Sequence, residues 1–141
     1  MKYHSLILLA LLVFAVGCGN RQVGAGGIVV FSDDGSPVMQ GSALTQGTVF
    51  FSTSTFQSRS EIDSQGRFTM GSFGATDGLP PGTYNVSVVA TDNTDSMNPY
   101  SLIDPKYASP VTSGIEITVD KTVRNLEIRV DRNPNPRPAA R

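Results

Sequence analysis

The side chains that most often perform nucleophilic or metal chemistry are scarce in this chain of 141 residues, which has one cysteine, Cys18, and one histidine, His4. Because His4 lies in an N-terminal leader, the rest of the chain lacks the imidazole of a Ser-His-Asp or Cys-His arrangement. Zinc would lack its usual nitrogen and sulfur ligands, and Lys106 and Lys121 stand outside a Ser-x-x-Lys motif. We therefore predict a non-enzymatic protein with no catalytic residue and no cofactor, and a hydrolase is the remote alternative.

Oxygen ligands are more plentiful, and they cluster in two segments with turn composition. Asp33 and Asp34 precede Gly35, and Asp92 and Asp95 flank Asn93-Thr94. Calcium prefers such hard oxygen ligands on loops, but neither segment has the spacing of a calcium-binding loop. These four residues are weak candidates for a calcium site, and solvated turns are the alternative interpretation.

Two tyrosines in the long connection 91–114 are weak candidates for ligand binding. Tyr100 and Tyr107 lie among Asp, Asn, Ser and three prolines. They could form an aromatic platform for a sugar or a peptide, or they could fix the connection to the domain. The second interpretation is favoured by the Pro-rich setting.

The N-terminus has the pattern of an export signal. Lys2 precedes the uncharged apolar run Leu6 to Val16, which has the length of a signal-peptide core and is short for a membrane span. Ala15-Val16-Gly17-Cys18 follows and resembles the lipobox of bacterial lipoproteins, although that family most often has Leu at the position of Ala15. The resemblance implies that residues 1–17 are removed, that Cys18 is lipidated, and that the exported protein is anchored to the cell membrane or outer membrane, facing the periplasm or the exterior. An ordinary secretory signal with an incidental Cys18 is the alternative.

The charge balance argues against one class of partner. The chain has 11 Lys and Arg residues against 12 Asp and Glu residues. It has no basic patch with interleaved aromatic residues, which is the pattern of nucleic-acid-binding proteins. We expect no nucleic-acid partner. The expected partners are a membrane, contacted through the N-terminal lipid, and an unidentified protein or glycan.

The composition divides the remaining chain into three parts. Residues 18–27 are Gly-rich and are predicted to be the lipidated cysteine and a flexible tether. Residues 28–131 contain the alternating apolar patterns of one folded domain. Residues 132–141 are polar and Pro-rich and are predicted to be disordered.

Short alternating segments with frequent turn signals predict an all-β fold of about seven strands, an antiparallel β-sandwich. A turn at Asp63–Gly66 joins two of the segments. The predicted strands cover 28–31, 48–52, 56–62, 67–70, 84–90, 115–119 and 126–130. The predicted core consists of Val30, Val49, Phe51, Ile62, Phe68, Met70, Tyr84, Val86, Val88, Ile115, Ile117, Val119, Leu126, Ile128 and Val130.

Four turn-and-strand motifs recur along the chain: Gly27-Ile28-Val29-Val30-Phe31, Asp63-Ser64-Gln65-Gly66-Arg67-Phe68, Leu79-Pro80-Pro81-Gly82-Thr83-Tyr84 and the segment from Asp104 to Ile115. Together they are similar to the motifs of carboxypeptidase regulatory-like, transthyretin-like domains of small bacterial lipoproteins. The resemblance implies a seven-stranded prealbumin-like sandwich with an Ig-like Greek key, exported and mostly non-enzymatic. Relatives that hydrolyse 5-hydroxyisourate use histidines and a C-terminal Tyr-Arg-Gly-Ser, and the chain after the predicted leader has neither.

These observations predict a membrane-anchored β-sandwich lipoprotein of the cell envelope that acts as an accessory or interaction module. A surface module that binds carbohydrate or calcium is the alternative.

Overall fold

The structure is a computed structural model, and it describes residues 21–32, 43–72, 74 and 76–135. The leader 1–17, Cys18, Asp33, Asp34 and the tail from residue 136 lie outside the described residues. The described residues form nine strands and one 3-10 helix, Pro105–Ala108. The strands are β1 (Ala25–Phe31), β2 (Thr48–Ser52), β3 (Gln57–Glu61), β4 (Arg67–Thr69), β5 (Gly82–Val89), β6 (Thr91–Asp92), β7 (Tyr100–Ser101), β8 (Ile115–Val119) and β9 (Val123–Val130).

The all-β prediction is confirmed, and the described strands form three sheets. One sheet has four antiparallel strands in the order β3-β2-β5-β8, another has three strands in the order β4-β1-β9, and β6 pairs with β7. The expectation of antiparallel pairing throughout is wrong at one position, because β1 and β9 run parallel. Alternation in a sequence sets which side chains share a face but not the direction of the neighbouring strand. A parallel pair is possible here because most of the chain lies between the two strands.

The two larger sheets pack face to face through aromatic side chains. The Phe51 ring of β2 lies 6.2 Å from the Phe68 ring of β4 in the opposite sheet, and within its own sheet it lies 5.8 Å from the Tyr84 ring of β5. Most of the predicted core is buried, but Ile115, Ile117 and Leu126 are half-buried, because β8 and β9 are the end strands of their sheets. Buried apolar residues that the alternation did not predict are Val23, Ala25, Val29, Leu44, Leu79, Ala90, Ile103 and Tyr107.

Folded structure begins earlier than predicted, so residues 23–27 are not part of a tether. The Val23 amide donates to the Leu79 carbonyl at 2.8 Å, and the Leu79 amide donates back at 2.9 Å. Val23 and Ala25 are both buried. Gly is uncommon in strands, and the Gly-rich composition concealed a strand whose apolar residues alternate with glycines.

The end of the domain also extends further than predicted. Arg132 forms an isolated bridge with Ile103, and the Asn133 amide side chain donates to the Ser101 carbonyl at 2.8 Å. Residues 132–135 are therefore attached to the connection 91–114. The prediction of a disordered tail from residue 132 is wrong for these residues.

The connection 91–114 is more regular than its composition indicated. It contains β6, β7 and the 3-10 helix, and it places Ile103 and Tyr107 in the core. Asp104 caps the helix by accepting from the Lys106 amide at 2.9 Å, with Pro105 in the first turn. Within the described residues, the search for a helix long and apolar enough to cross a membrane found none.

Candidate functional site

A concavity of about 1010 Å³ lies where the three-stranded sheet meets β3, and it is open to solvent. Its floor is the segment Gly24–Gly27, which leads into and begins β1. Arg67 of β4 and Arg59 of β3 stand on one side, and Arg124 of β9 stands on the other. We call this feature the glycine–arginine concavity.

The strand register places the charged groups around the floor. Arg67 and Thr69 are exposed on either side of buried Phe68 in β4, so both point away from the sandwich core. Thr69 lies opposite Gly26 on β1. Strands in a sheet lie about 4.8 Å apart, so β4 and β9 are separated by roughly 10 Å across β1. A glycine strand between two strands with long polar side chains produces a trough of that width.

The glycine floor is partly imposed by packing against β9. Between the pairs Ala25–Val123 and Gly27–Leu126 the register shifts, because β9 contains one more residue than β1. This irregularity brings the Leu126 carbonyl oxygen to 2.0 Å from the position that a Cβ atom on Gly27 would occupy. Only glycine fits at this point. A bulge in one strand is a common reason for glycine in its neighbour.

Gly24 is different, because a Cβ atom there would approach the end of a side chain and not a backbone atom, so that a shift of a few tenths of an ångström would admit it. The nearest atom to a Cβ on Gly24 would be the Thr122 methyl group at 3.2 Å, followed by Nη2 of Arg124 at 3.7 Å. The guanidinium group of Arg124 therefore lies directly beside the open floor at Gly24. No backbone atom excludes a side chain at this end of the floor, and the residue is nevertheless glycine.

One carboxylate of the concavity is already engaged in its own turn. Asp63 accepts from the amides of Gln65 and Arg67 at 2.8 and 2.9 Å and from Nε of Arg67 at 3.2 Å. The hydrogen bonds from the Arg67 and Gln65 amides hold the pKa of Asp63 below its usual value. Gly66 completes the turn with φ of +80°. The predicted turn at Asp63–Gly66 is therefore present, and the Asp63 carboxylate stabilises this connection between β3 and β4.

The remaining charges of the concavity are less constrained. Within the described part of the chain, Arg59 and Arg124 make no ion pair or side-chain hydrogen bond. Glu61 accepts one long hydrogen bond, 3.5 Å, from the Thr48 hydroxyl. Two guanidinium groups thus face solvent around a floor whose one side chain, that of Ala25, is buried in the core. A planar guanidinium offers a fork of N–H donors that matches a carboxylate or phosphate.

A second cluster of titratable groups surrounds Asp131, directly after β9. One carboxylate oxygen of Asp131 accepts from Nζ of Lys106 at 2.6 Å and from the Tyr107 hydroxyl at 2.8 Å. The other accepts from the Ser32 hydroxyl. Lys106 and Tyr107 belong to the 3-10 helix, and Ser32 directly follows β1. We call these four residues the Asp131 cluster.

The electrostatics of the Asp131 cluster are those of a stable ion pair. The hydrogen bonds from Lys106, Ser32 and Tyr107 lower the pKa of Asp131 to about 2. The hydrogen bond to Asp131 raises the pKa of Lys106, and burial raises the pKa of Tyr107. A base near neutral pH needs the opposite arrangement, with a lysine pKa that is lowered. The Asp131 cluster therefore joins the connection 91–114 to the ends of β1 and β9.

The structure separates the two candidate tyrosines. Tyr107 is buried in the core, so its ring is not an exposed platform. Tyr100 is partly exposed, and its hydroxyl donates to the Asn135 carbonyl at 2.6 Å. Both tyrosines fix the connection to the domain.

The two calcium candidates that the structure describes, Asp92 and Asp95, accept hydrogen bonds within their own turns. Asp92 accepts from the Thr94 amide at 2.9 Å, and Asp95 accepts from the amide of Met97 and the side chain of Asn98, each at 3.0 Å. These contacts are typical of turns capped by an Asp side chain. Among the described residues the search found no group of three or more His, Cys, Asp or Glu side chains placed to hold a metal.

The Asp131 cluster and the glycine–arginine concavity differ in how far their residues could be recognised from sequence. Lys106 and Tyr107 follow Asp104-Pro105, which has the residues of a capped helix start, so the short helix was detectable. No spacing rule connects Lys106 with Asp131, 25 residues further on. The concavity was missed because Gly24–Gly27 has the composition of a linker.

No protein-family model, curated protein or solved structure matches this chain. The interpretation of the concavity and of the Asp131 cluster therefore rests on the chemistry of their own residues.

Proposed function

We propose that this protein is a non-enzymatic interaction module of the cell envelope, exported and held at a membrane by a lipid on Cys18. The observation that carries the proposal is the different use of two sets of charged groups. The Asp131 cluster is committed to joining the connection 91–114 to the sheets. Arg59 and Arg124, in contrast, face an open concavity. Guanidinium groups with this exposure favour recognition of a partner over bond-breaking chemistry.

The finer fold that we propose is a transthyretin-like sandwich of the carboxypeptidase regulatory-like type. Its support comes from the structural roles of the motif residues. Leu79 is fully buried, and the Tyr84 hydroxyl donates to the Pro80 carbonyl at 2.5 Å, so the Leu-Pro-Pro-Gly-Thr-Tyr motif closes its own turn. Asp63 and Gly66 of the Asp-x-x-Gly-x-Phe motif do the same for the turn before β4. An experimental structure with another strand order would contradict this assignment.

The proposed anchor follows from the apolar leader and the single cysteine. One acyl chain gives only marginal membrane binding, and two or three chains hold a protein stably, at about 0.8 kcal/mol per buried CH₂ group. The test is fractionation of cells that express wild type or Cys18→Ser. We expect wild type in the membrane fraction, labelled by a radioactive fatty acid, and the variant unlabelled and either soluble or uncleaved. A wild type that is unlabelled and soluble would refute the anchor.

The non-enzymatic assignment has its own test. The purified protein should show no turnover with ester, amide, glycoside and phosphate substrates, while a bound partner should raise its melting temperature by mass action. Turnover that is lost on substitution of a residue of the Asp131 cluster would identify that cluster as catalytic and would refute the proposal.

A further inference from the structure

Most side chains that line the glycine–arginine concavity carry a charge or a hydroxyl group, and this favours some classes of ligand over others. The described apolar side chains in its lining are Ala25 and Phe68, and both are buried in the sandwich core. The accessible groups are guanidinium groups, the Glu61 carboxylate and hydroxyls such as that of Thr69. A ligand with many hydroxyl groups and one or more negative charges would find donors and acceptors.

The charge of the concavity favours an anion. Because Asp63 and Arg67 pair with each other, the groups left for a ligand are Arg59, Arg124 and Glu61. They leave one positive charge in excess, whereas the chain as a whole has a formal charge of −1. The concavity is thus an exception to the overall charge. Complementary charge mainly steers association and sets specificity.

The sheet topology argues against a peptide that adds to β1 as an extra strand. Strand addition needs an edge with free backbone groups. Here β1 is the central strand of its sheet, paired with β4 on one edge and with β9 on the other. A ligand must therefore lie across the face of the glycine floor and contact side chains.

We propose that the glycine–arginine concavity binds an acidic oligosaccharide, a short chain of uronic-acid sugars whose carboxylates pair with Arg59 and Arg124. The sugar hydroxyls would contact Glu61 and Thr69 above the floor at Gly24. The volume of about 1010 Å³ matches clefts that hold a ligand of this size. The concavity offers no exposed aromatic ring among its described lining residues, so charge and hydrogen bonding determine affinity. This proposal rests on the proposed function, because it names the ligand class of an interaction module.

The experiment is an NMR titration of the ¹⁵N-labelled full chain in a mild non-ionic detergent with trigalacturonic acid. The amides of Gly24, Gly26 and Gly27 report directly on the floor. We expect their signals to shift, with weaker binding as ionic strength rises from about 0.01 M to about 0.1 M, because the Debye length falls from roughly 30 Å to roughly 10 Å. Maltotriose, which has the hydroxyls without the carboxylates, should bind much more weakly.

Substitutions of single arginines test which charged side chains contact the ligand. Arg59→Ala and Arg124→Ala should each raise Kd by about two- to tenfold, the range for single exposed charge-assisted contacts. Arg129→Ala is the matched control, since Arg129 lies on the same strand as Arg124 and pairs with Glu127 at 2.5 Å. It should leave Kd unchanged. The unchanged spectrum of each variant outside the concavity verifies that the fold is retained.

Three results would overturn the proposal. One is the absence of shifts at about 10 mM trigalacturonic acid, which would saturate a millimolar site. Another is equally tight binding of maltotriose, which would show that the carboxylates of the ligand do not contribute to binding. A third is equal binding of a Glu-rich peptide of the same charge, which would show that the sugar is not recognised. Each leaves the fractionation of Cys18→Ser unaffected, so failure of the ligand assignment is distinguishable from failure of the anchor.

Discussion

Replacing Asp131 by Asn tests whether the Asp131 cluster stabilises the attachment of the connection 91–114. The substitution keeps the shape of the side chain and removes its charge. Nζ of Lys106, at 2.6 Å, loses its ionic partner, and the Tyr107 hydroxyl at 2.8 Å and the Ser32 hydroxyl lose a charged acceptor. We expect a lower free energy of unfolding at neutral pH.

The magnitude follows from the pKa and from the exposure of the pair. A pKa of about 2 instead of 3.8 corresponds at face value to about 2.4 kcal/mol. However, the side chains of Asp131 and Lys106 are 41% and 44% exposed, so water screens the interaction, and exposed ion pairs contribute only about 0.2–1 kcal/mol. With the two hydroxyl donors added, we expect Asp131→Asn to cost about 1 kcal/mol, which is a fall in Tm of about 4 °C.

The pH dependence of unfolding tests independently whether the Asp131 charge stabilises the fold. Because the pKa of Asp131 is lower in the folded than in the unfolded chain, its charge stabilises the fold above about pH 4. This contribution is lost as the pH falls towards about 2. The difference in free energy of unfolding between wild type and Asp131→Asn should therefore be constant from pH 5 to 7 and should largely disappear by about pH 2.

Urea unfolding followed by far-UV circular dichroism measures both quantities. Glu127→Gln is the matched control, since it removes a carboxylate on β9 that pairs with Arg129 at the surface, and it should cost less than about 0.5 kcal/mol. A double-mutant cycle with Lys106→Met isolates the ion pair, and we expect each substitution to cost less in the background of the other. The reasoning is wrong if Asp131→Asn costs no more than Glu127→Gln, or if its effect persists unchanged at about pH 2.

Three further substitutions test the fold by the same urea measurement. Gly27→Ala should lower the free energy of unfolding by at least about 3 kcal/mol or prevent folding, because its Cβ would lie 2.0 Å from a backbone oxygen of β9. Gly24→Ala places its Cβ 3.2 Å from a methyl group, and it should change the free energy of unfolding by no more than about 0.5 kcal/mol. Equal losses of stability in the two variants would contradict the bulge geometry. Tyr84→Phe should cost about 1 kcal/mol through loss of the 2.5 Å hydrogen bond to the Pro80 carbonyl, and no loss would mean that water replaces it. Gly114→Ala should cost about 1–2 kcal/mol through backbone strain alone, since φ is +68° and nothing lies within 4 Å of a Cβ there, and a neutral result would show that the turn relaxes.

Alternation predicted the strands well wherever one face of a sheet is buried. Thr48–Ser52 and Ile115–Val119 have the predicted bounds. Apolar and polar residues alternate along Ile115–Val119 with period two, and Thr48–Ser52 is a short run rich in strand-forming residues. Pairing was less predictable. Nothing in the composition of β1 and β9 shows that two strands at opposite ends of the domain lie side by side and parallel.

The alternation of apolar and polar residues did not predict segments that are ordered by a few specific contacts. Val23 and Ala25 are held by main-chain hydrogen bonds and small apolar side chains, which do not raise the apolar content of a Gly-rich stretch. The polar connection 91–114 is ordered by Ile103 and by Tyr107 with its acceptor Asp131. Such long-range contacts depend on the fold already being formed.

The glycines of the concavity floor differ in whether the fold requires them. Gly27 is required by the close approach of β9, and a Cβ on Gly26 would lie 2.9 Å from the Phe68 carbonyl oxygen. A Cβ on Gly24 would meet no backbone atom, only the Thr122 methyl group at 3.2 Å, although glycine in extended structure costs about 0.5–1 kcal/mol relative to alanine. A side chain at position 24 would fill the floor beside Arg124. If Gly24→Val keeps or raises stability and abolishes the trigalacturonic acid shifts, Gly24 serves the ligand; if those shifts survive in the variant, the ligand does not use this end of the floor.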